Sequence, residues 1–355
     1  MVKHLVYRHY LECWMSKILQ RFPRATIVDA FAGPGTYKDS LDGSPLLIAK
    51  TYRDHIAHPR FGDLDLLCLE GREDRSERLR HELAALGAIP KLHYQVLEPA
   101  EFATTQPTIS DLAHGGQPNR PVLWLLDPFN IKSLPFSVVR ASLVAQRDEA
   151  IITFFVDEMH RFCTRAGFGQ VLDDHFGSDV WSQSARIRSE SARKEALADA
   201  YCRVLDGQGL LTGRFAVRVR NETARYYLVF ATHSQYGLQC WNPVKWKLDS
   251  YGGAGASAAT VNQPDLFGTS DIAVLRSALV AYAGEEKPWD ELLGVSNRLG
   301  FMEKHLRDAL DALAQDGLAF RVHPTDAKTN WPAGSVVRFY RNEDADAPVV
   351  EPLDA

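Results

Sequence analysis

Two segments of the chain combine an apolar run with polar residues that could bind a ligand. The first, residues 25–35 (ATIVDAFAGPG), ends in an acid and a glycine turn. The second, residues 123–130 (LWLLDPFN), ends in an acid, a proline, an aromatic residue and an amide. An open α/β sheet binds its ligands just beyond the carboxyl ends of its strands. One end suits a nucleoside cofactor and the other a planar amine, so together they predict a site of group transfer.

The glycine turn and the acid that ends the next strand predict the donor. Gly33 and Gly35 lack a Cβ and let the backbone approach a ligand closely. Glu70 ends the second strand, where a carboxylate accepts hydrogen bonds from ribose hydroxyls. The next helix is expected only at Ser44, as its N-cap, so the turn does not open onto the helix N-terminus that a pyrophosphate needs. The pattern therefore favours S-adenosylmethionine, which has no phosphate.

A further acid is expected to complete the cofactor site. Glu98, just after the third strand, could accept a hydrogen bond from the adenine amino group, with Glu101 as a competing candidate. An ordinary solvated acid is the alternative interpretation of both Glu70 and Glu98. The predicted cofactor-binding residues are Asp29, Ala30, Phe31, Ala32, Gly33, Gly35, Glu70 and Glu98.

The second segment predicts the methyl acceptor. An exocyclic amine is a poor nucleophile because its lone pair is delocalised into the ring. Hydrogen bonds to Asp127 and to the Pro128 carbonyl would orient that lone pair, and Phe129 would stack on the base, a contact worth about 1–3 kcal/mol. We therefore predict these three residues as catalytic and Asn130 as substrate-binding. The structural alternative is a strand that simply ends at a proline, with Asp127 starting a turn.

Composition limits the class of protein. The chain has 355 residues, 45% hydrophobic and 24% charged, which is ordinary for a soluble globular protein long enough for two domains. A net charge of -5 excludes a uniformly basic nucleic-acid binder but permits a local basic face. The five cysteines include no Cys-x-x-Cys pair, so no metal site is predicted.

The same features predict a location. An odd, scattered set of cysteines is typical of a reducing cytoplasm. The first ten residues lack the apolar core of a signal peptide, and no apolar run approaches the roughly 20 residues that span a bilayer. We therefore predict a cytoplasmic protein without a membrane partner.

The order of elements predicts an α/β fold. Five apolar strands alternate with helical segments, which indicates a doubly wound, mainly parallel sheet. Two later strands, separated by a few residues, predict an antiparallel hairpin. The predicted strands are 25–30, 65–70, 92–97, 121–126, 150–156, 214–220 and 226–232. This count and order match the seven-stranded, Rossmann-like sheet of class I methyltransferases.

The pattern changes after residue 250, which divides the chain into predicted segments. Residues 251–259 are mostly small and glycine-rich, which predicts a flexible linker over residues 251–268. Residues 269–343 contain three helices and two short strands, the outline of a winged helix, and the acidic tail 344–355 is expected to be mobile. Residues 1–250 form the predicted methyltransferase-like domain.

Basic residues of the predicted winged helix are candidates for nucleic-acid contacts. Lys304 and Arg307 lie on its third helix, and Arg338 lies in the wing among aromatic residues. Such a mixture suits a phosphate backbone together with base stacking. A small structural or dimer-forming domain is the alternative.

Taken whole, the chain resembles the three-Cys-motif partner protein (TcmP) family over roughly residues 3–245. The matching segments are 10–14, 29–37, 43–45, 69–70, 126–129, 176–177 with Trp181, and 227–233. Family members usually have glycine where this chain has Asn130. The resemblance implies a class I methyltransferase-like fold and a radical-S-adenosylmethionine-like partner that carries the three cysteines. It implies no particular substrate.

The sequence thus predicts methyl transfer from S-adenosylmethionine to an amino nitrogen, with a nucleobase of RNA or DNA as the expected acceptor. A target base in a duplex would first have to be flipped out. Two alternatives stay open. The chain could be a non-catalytic, nucleic-acid-binding partner of the radical-type protein, or it could methylate a nitrogen of a protein or small molecule. The oligomeric state is not predicted.

Overall fold

The computed structural model describes residues 2–37, 41–117, 119–219, 223–257, 260, 271–324 and 330–341. The chain divides into two compact units, one of residues 1–249 with 253–264 and the other of residues 250–252 with 265–355. The tail predicted to be mobile, 344–355, lies outside the described residues. So do residues 258, 259 and 261–268 of the predicted linker.

The first unit is a sheet covered by helices on both faces. Its helices are α1 (Val2–Ile18), α2 (Ser44–Asp54), α3 (Glu73–Ala85), α4 (Phe102–His114), α5 (Phe136–Ser142), α6 (Val156–Phe162), α7 (Gly169–Phe176), α8 (Trp181–Ala185), α9 (Glu190–Asp206) and α10 (Gln235–Leu248). Its strands are β1 (Arg24–Asp29), β2 (Asp63–Cys68), β3 (Leu92–Val96), β4 (Val122–Leu126), β5 (Asp148–Phe154), β6 (Leu211–Arg218), β7 (Ala224–Thr232) and β8 (Gly255–Ser257).

The strands lie in the order β3-β2-β1-β4-β5-β7-β6-β8. Among these described strands, β7 alone runs antiparallel to its neighbours, and the other adjacent pairs are parallel. The predicted doubly wound, mainly parallel sheet with a late antiparallel hairpin is confirmed. Strands β4 and β5 are buried along their whole length, which is why they read as continuous apolar runs rather than as alternating ones.

Two helical layers bury the two faces of the sheet. Helices α1, α2, α3 and α10 contribute to one apolar core. Helices α4, α5, α6, α7 and α9 contribute to the other. Because the parallel strands share one direction, their carboxyl ends meet at a single edge, and the loops after β1, β2 and β4 are brought together there.

The sheet has eight strands among the described residues, so the predicted count of seven is wrong by one. Residues Gly255–Ser257, inside the predicted linker, pair in parallel with the end of β6. A Cβ on Gly255 would collide with the carbonyl oxygen of Ala216. Glycine at position 255 therefore lets the main chain of β8 approach that of β6 closely. Residues 255–257 are part of the sheet and not of a flexible linker.

Helix α10 was not predicted and packs against α1. It carries Pro243 in its interior, which interrupts a helical pattern read from sequence. A disulfide joins Cys13 of α1 to Cys240 of α10 across 227 residues of sequence. Their spacing alone does not indicate this pairing, because only the packing of the two helices brings the side chains together.

The second unit is a small α+β arrangement. Its elements are α11 (Ala273–Val280), β9 (Glu286–Pro288), α12 (Trp289–Arg298), α13 (Glu303–Gln315), β10 (Ala319–His323) and β11 (Val336–Phe339). The three strands form an antiparallel sheet in the order β10-β11-β9, and β9 is additional to the two strands predicted. Across both units, no helix in the described ranges is long and apolar enough to cross a membrane.

Candidate active site

Main-chain hydrogen bonds join the tips of β1, β2 and β4. Asp29 pairs in register with Cys68 on one side and Leu125 on the other. Beyond the strand, the Ala30 N–H donates to the Leu125 carbonyl (3.1 Å) and the Ala32 N–H donates to the Leu69 carbonyl (2.9 Å). The residues that follow the three strands are therefore gathered at one edge, as the sequence predicted.

The two glycines of the turn have different surroundings. Gly33 has a φ of +66° and open space where a Cβ would stand. Gly35 has a φ of +84°, and a Cβ there would press on Leu46 and Leu79 of the helices beneath the turn. Both conformations favour glycine. Gly33 thus lies on the open side of the turn, whereas Gly35 serves packing.

Helix α2 begins at Ser44, but Gly43 is its N-cap, so the prediction that Ser44 caps the helix is wrong. The Ser44 side chain instead acts on Asp29. Burial raises the pKa of the Asp29 carboxyl to about 6, the Ser44 hydroxyl lowers it, and the charge of Asp127 raises it further. Asp29 Oδ1 accepts a hydrogen bond from the Phe31 N–H (3.3 Å), while Oδ2 is buried without a hydrogen-bond partner in the described part of the chain.

Glu70 carries the feature most suggestive of a ligand. Its side chain is buried, with 1% exposure, two residues after the end of β2. Oε1 accepts a hydrogen bond from the Arg72 N–H (3.0 Å), but Oε2 finds no partner among the residues that the structure describes. An unsatisfied buried carboxylate oxygen is unfavourable, and a ligand hydroxyl would satisfy it.

Glu98 differs from Glu70 in its burial and in its partners. Its side chain is 92% exposed and its carboxylate lies 3.4 Å from the Arg80 guanidinium. This exposed contact with Arg80 restrains the side chain only weakly. Its prediction as an adenine contact is not supported by this placement, which matches a solvated surface acid.

Asp127 is paired with a residue of the first helical turn that sequence reasoning missed. The Lys3 ammonium donates a hydrogen bond to Asp127 Oδ2, and the two side chains are 19% and 24% exposed. Burial lowers the pKa of Lys3, but the charge and the hydrogen bond of Asp127 outweigh it and leave that pKa raised. Tyr37 and Tyr226 also act electrostatically on Lys3. The first turn of α1 is therefore part of the site.

Phe129 is held in an exposed position. Its side chain is 58% exposed, and its ring centroid lies 6.3 Å from that of Phe31 in an edge-to-face arrangement. The Arg75 guanidinium lies over the Phe129 ring, 5.5 Å from the centroid. These contacts fix the ring and leave area for a stacked ligand.

Asn130 has a structural role. Its side-chain oxygen accepts hydrogen bonds from the N–H groups of Lys132 (3.0 Å) and Ser133 (3.2 Å), which caps the 3-10 turn Ile131–Ser133. The acceptor that was expected to meet a substrate is already used, as in an ordinary helix cap.

In the second unit, two of the three predicted nucleic-acid contacts are engaged locally. Arg307 pairs with Glu303 and lies over the Trp289 ring, 4.7 Å from the centroid. Arg338 pairs with Glu286. Lys304 is exposed and forms no ion pair with another described residue.

Three cavities lie away from the strand tips. One is on α11, one lies between α1 and α2, and one lies at the opposite edge of the sheet. None of these three is lined by Gly33, Glu70 or Asp127. Within the described ranges, no group of three or more His, Cys, Asp or Glu side chains is placed to hold a metal ion.

No family model matches the chain. No curated protein matches it either. Among solved structures, it is similar to Trm1 from Pyrococcus horikoshii in complex with S-adenosyl-L-methionine, at 11% identity and a TM-score of 0.39, covering 97% of this chain and 92% of that one. It is also similar to a DUF574 family protein from Streptomyces avermitilis, at 12% identity and a TM-score of 0.38, covering 66% and 82% of the two chains. A putative caffeoyl-CoA O-methyltransferase from Staphylococcus aureus matches at 11% identity and a TM-score of 0.30, covering 59% and 76%. Likenesses this weak say nothing about the activity of the chain.

Asp29→Asn is expected to change how stability depends on pH. The folded pKa of about 6 lies above the ordinary value of 3.8, so the folded state binds more protons between these values and stability falls as the pH rises through this window. A shift of this size corresponds to about 3 kcal/mol. Urea denaturation at pH 4.5 and pH 7 measures the difference in unfolding free energy. Equal pH dependence in the variant and the native chain would contradict the assignment.

The Lys3–Asp127 pair is expected to show coupling in a double-mutant cycle. Lys3→Met should destabilise the native chain more than it destabilises an Asp127→Asn background, because only the first leaves a carboxylate without its cation. Since both side chains keep some exposure, we expect a coupling energy of about 1 kcal/mol. Thermal or urea unfolding of the four proteins measures it, and additive effects would show that the pair contributes nothing.

Proposed function

We propose that the chain is an S-adenosylmethionine-dependent methyltransferase whose active site is the edge formed by the tips of β1, β2 and β4. The observation that carries this proposal is Glu70, a buried carboxylate with an unpartnered oxygen at the same edge as the open side of the Gly33 turn. It is the arrangement expected of a ribose-binding acid beside a glycine turn.

The residues at this edge fit the donor in two further ways. Open space at Gly33 lets a nucleoside approach the main chain. Asp29 and Asp127 act on each other electrostatically, so the edge carries negative charge that would favour a sulfonium cation. When bound, S-adenosylmethionine would supply an activated methyl group on that sulfonium.

Asp127 would then position the acceptor amine. Lys3 holds Oδ2, and the second oxygen of the carboxylate is left to accept an N–H of the substrate, with the Pro128 carbonyl as a further acceptor. The exposed ring of Phe129 would stack on a planar base. These contacts would hold the amine nitrogen with its lone pair toward the methyl group, and the proton that the nitrogen gives up on methylation would pass to solvent. Alignment of these groups supplies most of the rate enhancement.

Within this proposal, the acceptor is a nucleobase of RNA or DNA. The stacking surface of Phe129 supports a base, and the proposed winged helix of residues 269–343 offers Lys304 as an exposed cation. Arg307 and Arg338 would have to exchange their present acidic partners for phosphates. The proposal also includes membership of the TcmP family, the radical-type partner and a cytoplasmic location. These three parts of it depend on the sequence alone.

One observation favours the non-catalytic alternative. The carboxylate proposed to bind the amine is already occupied in part by the chain's own Lys3. A site that only retains the fold of a methyltransferase could keep such an ion pair permanently.

Binding of S-adenosylmethionine is expected to depend on Glu70. Glu70→Gln keeps the shape of the side chain but removes its charge, so its hydrogen bonds to the ribose weaken and affinity should fall about tenfold. Glu98→Gln is the matched control and should change affinity by less than about twofold. Isothermal titration of protein freed of bound ligand measures both. The cofactor assignment fails if the native chain releases no heat or if both variants bind alike.

Methyl transfer is expected to depend on Asp127. With methyl-labelled S-adenosylmethionine and mixed RNA and DNA oligonucleotides, Asp127→Asn should lower the rate about a hundredfold, and it should weaken cofactor binding by far less than that. Asn130→Ala is the neighbouring control and should reduce the rate far less, since its side chain only caps a turn. Cofactor binding without label in RNA, DNA, protein or small amines would support the non-catalytic alternative.

A further inference from the structure

A second candidate binding site lies at the amino edge of the sheet, opposite the tips of β1, β2 and β4. It is a cavity of about 670 Å³ bounded by the end of α1, the starts of β4 and β5, the end of β7 and the start of α10. This volume lies within the usual range of small-molecule sites. Its lining includes Lys17, Arg21, Phe22, Arg147, Glu149 and Tyr236.

Three cations line this cavity and form no ion pair with a carboxylate of a described residue. They are Lys17, Arg21 and Arg147, and of these Lys17 is acted on by the more distant charge of Glu149. The Arg147 guanidinium lies over the Phe22 ring, 4.5 Å from the centroid, and that of Arg21 lies 5.9 Å from the same centroid. The shared ring restrains both guanidinium groups, so little ordering is needed when they meet an anion.

Glu149, the acid in the lining of this cavity, is enclosed by its own partners. It is 8% exposed, and its two oxygens accept hydrogen bonds from the hydroxyls of Tyr10 (2.7 Å) and Thr232 (2.8 Å). Burial raises the pKa of its carboxyl, and these hydrogen bonds lower it. The floor of the cavity is therefore satisfied internally, and the cations at its rim stay available.

The start of α10 adds to the positive character of the cavity. Ser234, Tyr236 and Gly237 line it, and the Ser234 side chain accepts a hydrogen bond from the Tyr236 N–H as the N-cap of this 14-residue helix. The positive end of the helix dipole therefore lies at the same wall as the cations. Tyr236 is 67% exposed and offers an aromatic face.

We propose that this cavity binds a phosphate-bearing ligand of nucleotide size. The phosphate would lie between Arg21 and Arg147, with Lys17 beside them, and a base would stack on Tyr236. Charge-assisted hydrogen bonds from guanidinium groups are the usual means of phosphate recognition. A free nucleotide and a phosphate of a nucleic-acid strand present the same chemistry. The proposal does not depend on methyl transfer, since none of these residues lies at the strand tips.

The test uses the full chain with three probes: uridine 5′-monophosphate, uridine, and a twelve-nucleotide single-stranded RNA. We expect the nucleotide to bind more tightly than the nucleoside. The double variant Arg21→Gln with Arg147→Gln should weaken binding of the phosphate-bearing probe at least about tenfold. Arg140→Gln with Arg203→Gln removes the same charge from the exposed surface of α5 and α9 and should leave binding unchanged. Circular dichroism checks folding, and Arg147→Gln alone replaces the double variant if it does not fold.

The outcomes distinguish the sources of the phosphate. If the nucleotide binds and its binding depends on Arg21 and Arg147, the ligand of the cavity is a free nucleotide. If the RNA binds but the nucleotide does not, and binding depends on the same two residues, the ligand is a nucleic-acid strand. The proposal is overturned if neither phosphate-bearing probe binds, if uridine binds as well as its monophosphate, or if the two double variants weaken binding equally. Because Glu70 and Gly33 are intact in all these proteins, failure here leaves the methyltransferase proposal unaffected.

Discussion

The hydrogen bonds that tie the loops after β1, β2 and β4 to one another are the constraint on which the candidate active site depends. Parallel pairing makes the strands end at one edge, and the bonds from Ala30 to Leu125 and from Ala32 to Leu69 continue that pairing into the loops. Three acids far apart in sequence, Asp29, Glu70 and Asp127, are thereby placed at the same edge. Their positions follow from the main chain and need no special side-chain contact.

Three acids placed close together repel one another when ionised. Each of the three is accommodated in a different way. Asp29 is buried, which raises its pKa to about 6. Glu70 accepts a main-chain N–H, and Asp127 accepts the ammonium group of Lys3. One oxygen each of Asp29 and Glu70 is left unsatisfied within the described part of the chain. Such an edge is prepared for a ligand that brings hydroxyl donors and positive charge, which is the character of the proposed cofactor.

Helix α1 connects this edge to the cavity at the other end of the sheet. Its 17 residues span about 25 Å, with Lys3 at the first turn and Lys17 at the last. The helix is fixed by its buried apolar side chains and by the disulfide from Cys13 to α10. The carboxyl ends of the strands thus carry Asp29, Glu70 and Asp127 with Lys3, whereas the cavity at the amino ends is rimmed by Lys17, Arg21 and Arg147.

The sequence by itself determined the sheet and the residues at its strand ends, because apolar runs, glycine turns and terminal acids are local signals. The strand that ends in Asp29, and the acids Glu70 and Asp127 just beyond two other strands, were all placed correctly at one edge. Only the tertiary structure decided that Lys3 pairs with Asp127, that Gly255–Ser257 form an eighth strand, and that Cys13 bonds to Cys240. It also separated buried Glu70 from exposed Glu98, two acids that look alike in sequence. These features join residues far apart along the chain or depend on burial, and neither distance in space nor exposure to water is expressed in local periodicity.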